Sequence, residues 1–110
     1  LEVGRGRAPE RGRDLDGDLL MPGLVEIHTD NLEAHYIPRP KVEWNATSAV
    51  LAYDAQIAAS GITTVFDSLR IGVEEHEEKS AMGNKTEMLA DETARNAAAG
   101  HLRADHLTHI

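Results

Sequence analysis

The sequence predicts an α/β fold built on a parallel sheet, and three observations lead there. A short β-branched segment, Ile62-Thr63-Thr64-Val65-Phe66-Asp67, reads as a strand. It lies between two stretches of helical character, 46–60 and about 86–99. Apolar runs at Leu19–Ile27 and from Leu107 onward flank this unit. The order is strand, helix, strand, helix, then the opening of a third strand. Such alternation places crossover helices between parallel strands.

Taken in order, residues 1–18 are rich in Arg, Gly and Asp and read as a loop or a poorly formed strand end. In Leu19–Ile27 the Pro22-Gly23 pair interrupts the run, and Leu24, Val25 and Ile27 make its second half a buried strand. Residues 31–44 have no period and contain Pro38-Arg39-Pro40, which disfavours helix, so the segment reads as a loop. Helix 46–60 has Asn45 as N-cap, a stripe of Val50, Tyr53 and Ile57, and Gly61 at the left-handed position after it. Residues 68–83 mix charge and glycine around Glu74-Glu75-His76-Glu77-Glu78, a solvated loop or helix face. The second helix, about Thr86 to Ala99, stops at Gly100.

Composition narrows the class. The chain has 110 residues, 41 % of them hydrophobic, with one Trp, one Phe and two Tyr, so its core is modest, aliphatic and rich in alanine. Without cysteine there are no disulfides and no thiolate metal sites, which fits a reducing cytoplasm. No apolar run approaches the roughly 20 residues of a membrane span. The net charge is −8, unevenly spread: Arg5, Arg7, Arg11 and Arg13 against Glu2 and Glu10 give residues 1–13 an excess of two positives, and residues 14–110 carry −10. An acidic bulk argues against non-specific nucleic-acid binding, and four arginines without interleaved aromatics read as a solvated terminus. The chain starts at Leu1 and ends without a stop signal, as a processed product or a fragment would.

The informative spacing is His28-Thr29-Asp30. On a strand, residues i and i+2 point to the same side, so an imidazole and a carboxylate two apart can reach one metal ion. Both stand at the carboxyl end of their strand, where parallel α/β folds place active sites. By spacing alone, a surface pair or a hydrogen-bonded pair is the more common reading.

The context is more specific. Asp14–Gly23 followed by Leu24-Val25-Glu26-Ile27-His28 resembles the entry into the first barrel strand of the amidohydrolase superfamily, and Gly61–Asp67 is similar to its second strand. Most of that superfamily ends the first strand in His-x-His; here Asp30 replaces the second histidine. The run His28-Thr29-Asp30-Asn31-Leu32-Glu33, with Pro38-Arg39-Pro40 after it, resembles one branch: diphosphatases acting on a ribosyl triphosphate in the carbon–phosphorus lyase pathway of phosphonate use.

The resemblance implies an incomplete (β/α)8 TIM-barrel metal-dependent hydrolase: residues 1–18 as a loop or edge of a small β domain, and 19–110 as the first third of the barrel. A complete barrel needs on the order of 250 residues. It implies His28 and Asp30 as metal ligands for a divalent ion, zinc first, with manganese, iron or nickel as alternatives. The substrate would be a small phosphorylated molecule, alpha-D-ribose 1-methylphosphonate 5-triphosphate, losing pyrophosphate. The protein would be cytoplasmic, with no nucleic-acid or membrane partner, and a homo-oligomer stays open. Further ligands and the catalytic group would lie beyond Ile110, so the catalytic residue is unknown and the chain alone inactive. Another amidohydrolase cleaving C–N bonds and a non-catalytic truncated product are the alternative readings.

Other candidates have plainer explanations. Glu33 and His35 follow the pair closely but are ordinary loop residues by themselves. Arg39 suits a phosphate or a structural salt bridge. Asp67 suits an active-site position or, better, a helix cap or loop. His76 reads as solvated. His101 and His106 lack supporting spacing, and His109 only partly matches the branch. Asn45-Ala46-Thr47 and Asn84-Lys85-Thr86 fit a glycosylation pattern that has no meaning in the cytoplasm.

Overall fold

Asn45 starts the longest helix as its spacing predicts: its Oδ1 accepts a hydrogen bond from the Ser48 amide at 3.1 Å. In the computed structural model, which describes residues 4–7, 9–70 and 85–109, the elements are β1 (Leu24–Thr29), α1 (Asn31–Tyr36), α2 (Ala46–Ala59), β2 (Ile62–Ser68), α3 (Thr86–Ala98) and β3 (Asp105–His109). The strands form one parallel sheet in the order β1-β2-β3. The mixed α/β architecture and both long helices match the sequence reading. The third strand opens two residues earlier than expected, at Asp105. The acidic cluster around His76 lies outside the described residues.

Strand β2 shows how one face of the sheet becomes the core. Val65 and Asp67 are buried, with half-buried residues on either side of each. With period 2, these two side chains turn towards the helices. There Val65 joins Ala49, Val50, Tyr53 and Ile57 of α2, Leu32 and Tyr36 of α1, Leu89 of α3, and Leu69 and Ala104. Leu69 continues the phase of β2. After α2 the chain reverses through Gly61 at φ +77, a conformation glycine adopts without the Cβ penalty.

Two expectations are corrected. Residues 31–36 are helix, not loop. Leu32 and Tyr36, four apart, are both buried, and burying that pair offsets the short length that hid any period. The prolines act afterwards: Ile37, whose amide still reaches Glu33 O at 2.8 Å, precedes Pro38 and ends the helix. The chain then folds back, with the Trp44 amide on Tyr36 O at 2.9 Å and the Tyr36 hydroxyl donating to Glu43 at 3.1 Å.

Strand β1 is the second correction. It is a strand, but it is not buried: Leu24, Val25 and Ile27 are 56 %, 57 % and 72 % exposed. Among the described residues β1 has one strand neighbour, β2, so one edge is free. Leu19, Leu20 and Met21 extend the exposed apolar strip.

Gly23 explains the Pro-Gly interruption. A Cβ there would collide with the Thr63 side chain, including its Cβ, so the chain enters β1 in close contact with β2. Gly23→Ala is expected to destabilise the chain by about 1–3 kcal/mol through overpacking, measured by urea unfolding. A wild-type midpoint would show that Thr63 gives way freely.

Candidate metal site and the buried network behind it

His28 and Asp30 stand where the sequence puts them, one inside the carboxyl end of β1 and the other just past it. Both are exposed. The His28 amide is held by Glu26 Oε1 at 3.0 Å, and Thr29 Oγ1 accepts from the Asn31 amide at 3.2 Å. Asp30 occupies the N-cap position of α1 without a side-chain capping bond, so its carboxylate is not spent on the helix. Among the described residues no hydrogen bond joins His28 to Asp30, and no three His, Asp or Glu side chains stand together in metal-binding geometry.

The structure pairs His28 instead with His109 of β3. Their ring centroids lie 5.5 Å apart, nearly perpendicular at 88°. Phe66 of β2 stands between these strands, its ring 6.4 Å from that of His109. Asp105 and Leu107, in phase with His109, are exposed as well. These positions define a second sheet face, opposite the core.

The neighbouring candidates are structural. Glu33 accepts from the Arg70 amide at 3.0 Å and lies 4.0 Å from its guanidinium, tying α1 to the end of β2. His35 Nδ1 is 2.9 Å from Asn31 O. Arg39 makes a backbone bridge with Val42, and among the described residues no carboxylate pairs with it. His101 Nδ1 lies 3.1 Å from Asn96 Oδ1, at the end of α3.

Behind the sheet lies a group that the sequence reading missed. Asp67 is neither an active-site nor a capping residue. It is buried within β2, accepting from the Tyr53 hydroxyl at 2.7 Å and from His106 Nδ1 at 2.9 Å. On the other side of that ring, Nε2 is 3.4 Å from Asp54 Oδ1. Asp54 also accepts from the Arg103 and Ala104 amides at 2.8 and 3.0 Å and from the Arg103 guanidinium at 3.1 Å.

A carboxylate only accepts, so His106 donates to both carboxylates when each ring nitrogen carries a proton, that is, as an imidazolium. Burial pushes its pKa down, but hydrogen bonding and charge from Asp67, then Asp54, outweigh that and raise it. Burial likewise works against the Asp54 carboxylate, yet the Ala104 and Arg103 amides, the guanidinium and His106 hold its pKa below the usual range. For Tyr53, burial and the bond to Asp67 push the phenol up. With His106 protonated, two carboxylates are balanced by two cations, and α2, β2 and β3 are joined at one buried point. A signal existed: Asp54 adjoins the Val50-Tyr53-Ile57 stripe, and Asp67 alternates in phase with Val65. A charge at a core position requires a partner.

With this geometry established, the chain can be compared with known proteins. No family model matches it, and no solved structure matches it. It is similar to the alpha-D-ribose 1-methylphosphonate 5-triphosphate diphosphatase of Escherichia coli (strain K12), with 42 % identity over 108 residues. That similarity covers 96 % of this chain and 27 % of the relative, so the chain spans about a quarter of the relative's length.

Proposed function

We propose that this chain is the opening part of a metal-dependent hydrolase that releases pyrophosphate from alpha-D-ribose 1-methylphosphonate 5-triphosphate, with His28 and Asp30 as metal ligands. The observation that carries the reading is the 42 % identity running through almost the whole chain to a diphosphatase of that name. The parallel sheet, with His28 and Asp30 at the carboxyl end of β1, agrees with where such folds bind substrate. The bare edge of β1 agrees too: the exposed Leu24, Val25 and Ile27 suit a sheet continued by the rest of a longer barrel.

The donor chemistry suits a divalent ion. One imidazole and one carboxylate, without thiolates, fit zinc, and also manganese, iron or nickel. Such an ion lowers the pKa of bound water and neutralises phosphoryl oxygens as charge develops. Within this chain, His28 and Asp30 hold the ion's place, and Glu26 fixes the strand end through the His28 amide. The absence of cysteine suits a cytoplasmic setting.

Chelation tests the metal requirement in the full-length protein. Pyrophosphate release is expected to fall below a tenth of its rate after chelator treatment and to return on adding Zn²⁺ or Mn²⁺. Full activity in a protein shown to be metal-free would overturn the reading.

A further inference from the structure

We propose that His109 of β3 is a metal ligand alongside His28 of β1, the two imidazoles clamping one divalent ion across the sheet. This rests on the metal-hydrolase reading and adds to it a residue from a different strand. The two rings belong to strands separated by β2, yet their centroids are 5.5 Å apart and their planes are perpendicular. Two imidazoles bound to one tetrahedral ion through metal–nitrogen bonds of about 2.0–2.1 Å place their centroids roughly 5 Å apart. The observed separation is therefore close to that of a shared ion.

Three further observations agree. Both histidines are exposed on the sheet face opposite the core, so neither is needed to fill it. Among the described residues neither ring nitrogen is bonded to a carboxylate, unlike His106, whose two nitrogens are engaged. The register Ser68↔His109, with Thr29↔Asp67 on the other side of β2, sets both histidines near the carboxyl end of the sheet. Two imidazoles and the Asp30 carboxylate would leave a tetrahedral ion one open position for water or a phosphoryl oxygen.

The test uses the purified protein and two probe metals: Zn²⁺ in calorimetric titration and Cu²⁺ in electron paramagnetic resonance, whose nitrogen splitting counts bound imidazoles. His28→Gln, Asp30→Asn, His109→Gln and, as a control, His101→Gln are compared, with circular dichroism confirming that each retains its fold. The wild-type protein and the control should show the same number of imidazole nitrogens, and His28→Gln and His109→Gln one fewer each. Zn²⁺ affinity should fall at least about 10-fold in both, since losing a ligand costs no less than losing a group that orients one. If His28→Gln and Asp30→Asn weaken binding while His109→Gln binds as wild type with an unchanged nitrogen count, the clamp is overturned and the metal reading survives. If none of the variants changes Zn²⁺ affinity, the metal reading falls and the clamp with it.

Discussion

Replacing His106 with alanine is expected to cost about 3–5 kcal/mol of folding stability, the usual consequence of removing one partner from a buried ion pair. The side chain is fully buried between Asp54 and Asp67. Without it, two carboxylates face an apolar interior, with Arg103 on Asp54 and the Tyr53 hydroxyl on Asp67 as their remaining side-chain partners. Urea unfolding measures the loss; a change below about 1 kcal/mol would mean that the network contributes no more than an exposed pair. Tyr53→Phe, which removes a neutral donor to Asp67, should cost less, about 1–3 kcal/mol.

The same network gives a pH dependence with a definite sign. The folded-state pKa of His106 is raised above its ordinary 6.5, so its contribution is complete below that value and is lost as pH rises through the folded pKa. For Asp54 the folded value is lowered from 3.8, so its contribution is present above 3.8 and lost as pH falls through the folded pKa. Stability should therefore be greatest in mildly acidic solution and decline on the alkaline side of the ordinary histidine range. In His106→Gln that alkaline decline should disappear.

The second large effect concerns the exposed end of β1. His28→Ala and Asp30→Ala are each expected to lower hydrolysis by the full-length protein at least about 100-fold, because a ligand matters no less than the outer groups that orient it. Stability should hardly change, since both side chains are exposed and neither belongs to the core. Metal analysis separates ligation from other roles: retained metal in both variants would remove the ligand assignment. The contrast with His106 is useful, since one histidine should affect stability and the other activity.

What could be read from the sequence divides along physical lines. Helix α2 was legible because cap, stripe and terminal glycine agree, and β2 because β-branched residues fill it. Helix α1 was not, because six residues carry too little periodicity and Leu32 and Tyr36 gain their burial from packing against other elements, α2 among them. The exposure of β1 was hidden for a related reason. Its residues are those of a buried strand, and burial depends on neighbours that composition does not supply.

The candidate site divides in the same way. His28 and Asp30 could be proposed because their spacing is local. The partnership of His28 with His109 spans 81 positions and appears only when β1 and β3 flank β2. His106 offered no local pattern either, because its partners come from α2 and β2.

The central claim is most directly tested by supplying alpha-D-ribose 1-methylphosphonate 5-triphosphate to the purified full-length protein and measuring pyrophosphate. The account predicts metal-dependent release of one pyrophosphate per substrate, leaving the 5-phosphate, with loss of release in His28→Ala. No pyrophosphate from the metal-loaded protein, or release unchanged in that variant, would contradict it.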